Sequence, residues 1–180
     1  MNLGQKITEK LHLMQRMEDQ MNFSVRSAEG ADRGYHLSET ENGIRVDIHI
    51  PDQDKYSFVV AKIELENTNF QPDRKHGVKP ILMKQAKFIE KHVSYLPETF
   101  SLIELDENRQ VAQMRSTKPY QKEKVTQYYE LMLHQGKRLQ LTRYEKKQDE
   151  PARQPIHFLL TEEILARLIN DLGRAFKFNK

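Results

Sequence analysis

The residues most able to do chemistry here sit in one candidate hairpin, Thr126 to His134 and Arg138 to Lys146, joined by Gln135-Gly136-Lys137. Leu131, Leu133, Leu139 and Leu141 alternate with polar residues, as a half-buried strand pair requires. If the leucines point inward, Tyr128, Glu130, Met132 and His134 point outward on one strand. Arg138, Gln140, Thr142 and Tyr144 do so on the next. Nearby connections add Lys118, Tyr120, Lys122, Lys124 and Lys137. Flat rings with long cations suit single-stranded nucleic acid, because rings stack on bases and cations follow the phosphates. The expected interface is Tyr128, Tyr144, Tyr120, Arg138, Arg143, Lys118, Lys122, Lys124 and Lys137, although strict alternation turns Arg143 inward.

Two other chemistries have weaker signals. Glu145 and Lys147 have acid-x-lysine spacing at a strand end, and Asp106 would have to join Glu145 for a metal-dependent nuclease. Glu64 and Glu66, two apart on a strand, share a face and could take a cation. The seven histidines are scattered, and no pair has i, i+4 spacing. Gly-rich phosphate loops and a Gly-x-Ser-x-Gly elbow are absent. Cysteine is absent too, which removes disulfides, thiol nucleophiles, Cys-ligated zinc and iron–sulfur clusters. No cofactor, resident metal or catalytic residue is expected.

Charge supports the hairpin reading. The net charge of +3 is uneven: residues 1–79 carry 11 basic and 13 acidic groups, residues 80–180 carry 18 and 13. Between Arg109 and Arg153, 11 basic residues meet five acidic ones, enough to attract phosphate. Only 37% of the 180 residues are apolar against 31% charged, so the core is modest. No apolar run approaches a membrane span, and no apolar stretch follows the N-terminus as in a signal peptide. The expectation is a cytoplasmic protein that does not associate with membranes.

The elements that must position these residues divide the chain into three. Residues 2–22 read as an amphipathic helix striped by Leu3, Ile7, Leu11, Met14, Met17 and Met21. Its methionines Met14, Met17 and Met21 are candidates for binding a protein partner or a second copy. Residues 23–96 read as strands followed by a helix over 81–95, which Pro97 stops. The strands begin at Phe23-Ser-Val25. The Asn42-Gly43 turn predicts a hairpin into Ile44–Ile50, and Tyr56 to Glu66 reads as one strand. Residues 68–80 read as loop, and Thr117 to Lys124 as a basic connection. Residues 97–180 repeat the layout without repeating the sequence, ending in a helix over 163–176 capped by Thr161. The fold class is therefore α+β: mostly antiparallel sheet in two similar halves, each followed by a packed helix, in one compact domain. The leading expectation is non-enzymatic binding of single-stranded DNA or RNA. A protein-interaction or assembly module, and a metal-dependent nuclease, are the alternatives.

Overall fold

A computed structural model of the chain describes residues 2–21, 34–71 and 77–178. The fold is α+β, built on a large antiparallel sheet. In chain order the first elements are α1 (Leu3–Met21), β1 (Tyr35–Glu41), β2 (Ile44–Ile50), β3 (Asp52–Gln53), β4 (Ser57–Val60), β5 (Lys62–Asn67) and α2 (Lys79–His92). Then follow β6 (Phe100–Asp106), β7 (Val111–Ser116), β8 (Tyr120–Lys122), β9 (Val125–His134) and β10 (Arg138–Lys147). The chain closes with β11 (Gln154–Ile156), β12 (Phe158–Thr161), α3 (Glu162–Arg174) and a tighter turn over Ala175–Phe178.

The main sheet runs β1-β2-β5-β10-β9-β7-β6, with β8 added to β9 and β11 to β10. Both halves of the chain thus share one sheet, joined where Ile63 to Glu66 of β5 pairs with Arg138 to Leu141 of β10. The helices lie on one face. Ile7 and Leu11 of α1, Leu82 and Ile89 of α2, and Leu165, Leu168, Ile169 and Leu172 of α3 are all buried. They meet Val46, Ile48, Ile63, Leu65, Met114 and the four leucines of the β9–β10 hairpin. A three-stranded sheet, β12-β4-β3, adds Phe58, Val60, Phe158 and Leu160 to the same core.

Turn chemistry behaves as the residues dictate. Asn42 and Gly43 both have positive φ, 51° and 77°, the two-residue hairpin geometry whose twist matches the strands it joins. Thr161 caps α3 by accepting from the Ile164 amide, and Glu162 and Glu163 follow in the first turn.

Several boundaries differ from the sequence reading. Tyr56 to Glu66 is two strands in two sheets, because the chain turns a corner at Ala61, whose amide donates to the His49 carbonyl at 3.0 Å. The apolar phase shifts there, from Phe58 and Val60 to Ile63 and Leu65. A second change of sheet at His157 separates β11 from β12. Residues 120–122 form a strand on β9, though they read as connection. α2 begins at Lys79, since Pro80 suits a first helical turn, and ends at His92, before the residues that lead to Pro97. The Phe23–Val25 strand lies outside the described residues.

Candidate nucleic-acid interface

The face of the main sheet opposite the helices is polar and carries the outward residues of β7, β9 and β10. Tyr128 and Tyr144 are directly opposite each other in the β9–β10 ladder, with ring centroids 6.1 Å apart. Both are half-buried by their neighbours. Arg153, which immediately precedes β11, reaches back over this pair. Its guanidinium lies 3.9 Å from the Tyr144 ring centroid, and it donates to the Tyr128 hydroxyl at 3.2 Å. It also donates through both terminal nitrogens to the Glu130 carboxylate, at 2.5 and 2.8 Å. Arg115, opposite Glu130 in the β7–β9 ladder, donates its Nε–H to the same carboxylate at 2.9 Å and sits 5.3 Å from the Tyr128 ring centroid. The Gln113 amide adds a further donor at 2.6 Å.

Glu130 is therefore the buried anchor of two cations. It is 3% exposed, whereas the side chains of Arg115 and Arg153 are 37% and 34% exposed. Burial alone would raise its pKa, but the hydrogen bonds from Arg153 and Arg115 outweigh this and hold it below the ordinary carboxylate value. The same pairing raises Arg153 still further above its usual range. A second anchor repeats the design: buried Glu64 holds Lys62 at 2.9 Å and also Arg138, both partly exposed. Burial would raise Glu64 as well, yet Arg138 and Lys62 keep it low. Each anchor holds two cations on one carboxylate, and the carboxylate lies beneath them. The same face also carries acids within reach of solvent: Asp47 opposite Glu64, its side chain 39% exposed, and Glu104 opposite Gln113. Alongside, the His36 and His49 rings stack at 3.9 Å beside a depression of about 350 Å³.

The remaining expected residues are spread more widely. Arg143 faces the helix side: its guanidinium donates to Glu98 at 2.8 Å and lies 4.5 Å from the Tyr129 ring centroid. Glu98 also accepts from the Ser116 hydroxyl, which in turn accepts from the Tyr129 amide at 2.7 Å. This polar group closes one end of the core, so Arg143 is not part of the outer face. Tyr120 and Lys122 pair with Gln127 and Val125, one residue out of phase with Tyr128, and so project to the opposite side of the sheet. Lys124 pairs with Asp149 at 2.9 Å and Lys137 with Glu66 at 3.0 Å, while Lys118 is exposed in a loop. Of the nine expected residues, only Tyr128, Tyr144 and Arg138 share the outer face of the β9–β10 hairpin. Arg115 and Arg153 were missed as site residues. Register could have suggested Arg115, but nothing in the sequence places Arg153, which acts from a polar loop.

The nuclease trio does not assemble. Asp106 caps a turn at the Arg109 amide, Glu145 accepts from Gln127, and Lys147 pairs with Glu150. Asp106 is level with His134 through Val111, whereas Glu145 is level with Gln127, about 20 Å further along the sheet. Glu64 and Glu66 do share a face, but cations of this chain occupy both. Among the described residues no group of three His, Asp or Glu is placed to hold a metal. On α1, Met17 is 62% exposed and Leu13 50% exposed, Met14 is half-buried, and the Met21 side chain lies outside the described residues. A polar groove of about 540 Å³ between α1 and α3 has its buried acid, Asp171, paired with Arg167 and Arg174. No helix among the described residues is long and apolar enough to cross a membrane. Compared with protein-family models, with curated proteins and with solved structures, the chain finds no match, so its own geometry carries the functional reading.

Proposed function

We propose that this protein is a non-enzymatic module that binds single-stranded nucleic acid on the open face of its nine-stranded sheet. The observation that carries the reading is buried Glu130, which holds the partly exposed Arg115 and Arg153 beside the Tyr128–Tyr144 pair, with a second such carboxylate, Glu64, holding Lys62 and Arg138 about 13 Å further along the same face. Buried carboxylates fix the cations in place before a ligand arrives, so little side-chain entropy is lost on binding. Arg153, 3.9 Å from the Tyr144 ring centroid and bonded to the Tyr128 hydroxyl, would offer its guanidinium to a base. Arg115, Arg138 and Lys62 would neutralise phosphates along the same face.

A fluorescence-anisotropy titration with mixed-sequence DNA and RNA oligonucleotides tests this at low salt. Binding is expected at roughly micromolar protein and should weaken steeply with added salt as counterions are released. Tyr144→Leu, which removes the ring that supports the Arg153 guanidinium, should weaken it about tenfold. Lys122→Ala, on the opposite side of the sheet, should change it little. Absence of binding at micromolar protein in low salt ends the reading.

A second reading has its own observation: Leu13 and Met17 stand exposed on α1. Because Ile7 and Leu11 of the same helix are core residues, deleting α1 would unfold the protein, so the informative variant is the double substitution Leu13→Lys with Met17→Lys. If capture of a defined protein partner survives that change, the second reading fails.

A further inference from the structure

Among the described residues the main sheet ends in two strands without a further neighbour, β1 and β6, and they are built differently. In β6 the register breaks between Leu102 and Glu104 and leaves Ile103 out of the ladder, 55% exposed. Such a bulge keeps an edge from recruiting another strand. β1 has no such bulge. It pairs with β2 in unbroken register over seven residues, Tyr35-His-Leu-Ser-Glu-Thr-Glu41, with neither proline nor lysine. Its acids lie on the helix side and are tied down there: Glu39 by Lys6 and Lys10, Glu41 by Lys6.

The Asn42-Gly43 turn decides which backbone groups face outward. A two-residue turn makes Glu41 and Ile44 a hydrogen-bonded pair, so bonding to β2 recurs at Glu39, Leu37 and Tyr35. The amides and carbonyls of His36, Ser38 and Thr40 then point away from the sheet. Among the described residues, no backbone hydrogen bond outside the ladder reaches them.

We propose that this edge pairs with the same edge of a second copy, antiparallel, about a two-fold axis at Ser38. The pattern of β1 is self-complementary in that register. Ser38 meets Ser38 of the second copy and His36 meets Thr40, so every outward amide and carbonyl finds its counterpart. Glu39 falls opposite Leu37 and Glu41 opposite Tyr35, and no two acids face each other. Centring the pair on Glu39 would set that carboxylate against its own copy, which is unfavourable. The dimer would carry the sheet through both protomers and present both open faces on one side, giving a long ligand two sites. The pairing itself does not depend on the nucleic-acid reading.

The absence of cysteine allows a direct test, since Ser38→Cys introduces the sole thiol. On the two-fold axis, Cα atoms of a hydrogen-bonded pair lie about 5.5 Å apart, within disulfide reach. Oxidised glutathione should convert most of the Ser38→Cys chain to a disulfide-linked dimer on a non-reducing gel. Ile103→Cys, at the bulged edge, should remain mostly monomeric under the same conditions. In sedimentation the parent chain should dimerise at about 100 µM or below. Ser38→Pro, which removes an outward amide that β2 does not use, should be monomeric with an unchanged circular dichroism spectrum. A parent chain that stays monomeric, or a Ser38→Cys chain that cross-links no faster than Ile103→Cys, overturns the proposal.

Discussion

A single carboxylate, Glu130, accepts from Gln113, Arg115 and both terminal nitrogens of Arg153 while almost fully removed from water. Replacing it with alanine leaves two guanidiniums without their counter-charge. Both are partly exposed and can turn to solvent, so the expected cost is about 1–3 kcal/mol, read from the shift in urea midpoint at pH 7. The same residue sets an acid dependence. Glu130 and Glu64 titrate below the ordinary glutamate value of 4.5 in the folded protein, so below pH 4.5 the unfolded chain binds more protons. Their contribution is complete above that pH, declines below it, and is gone once pH falls through the folded values. Urea midpoints at pH 7, 4.5 and 3 should follow that decline, and Glu130→Gln should make it shallower. A midpoint that does not fall between pH 4.5 and 3 would contradict the assignment.

At the scale of elements, Gly4 permits a close helix crossing that a side chain would block, and Gly43 a backbone angle that a side chain would strain. A Cβ on Gly4 would sit 2.0 Å from the Ala166 carbonyl oxygen, so α1 crosses α3 at a separation only glycine permits. The Gly4 amide uses that closeness to donate to Asn170 at 3.0 Å. Gly4→Ala should push the helices apart and lower stability by about 1–3 kcal/mol in chemical denaturation. Gly43 has φ of 77°, and a Cβ there would meet the Asn69 amide at 2.2 Å. Gly43→Ala should therefore cost about 1–2 kcal/mol and fray the β1–β2 hairpin, visible as faster amide exchange in β1. Thr161→Ala removes the α3 cap and should cost about 1 kcal/mol by thermal denaturation.

For the whole molecule, the β5–β10 junction joins the two halves in one sheet. Leu65 and Leu139 are paired across it and fully buried, so cutting the chain between the halves would expose core on both pieces. Far-UV circular dichroism and tyrosine fluorescence should report one coincident unfolding transition, and residues 97–180 alone should not fold. Two separated transitions would show that the halves are independent.

The sequence alone settled what local physics settles. Alternation at Ile44–Ile50 and in the leucine hairpin, the Asn-Gly turn, the Thr161 cap and the three apolar stripes each depend on residues within a few positions of one another. The α+β class followed from them, as did the inward turn of Arg143 and the outward turn of Tyr128 and Tyr144. Only the tertiary structure decided which strands adjoin, where the chain changes sheet at Ala61 and His157, and that β5 meets β10. It also decided the charge of the outer face, because an ion pair such as Arg153 with Glu130 joins a loop to a strand 23 residues away. Composition counts cations, but their effect on a ligand depends on where the acids lie beneath them, and chain folding alone fixes that.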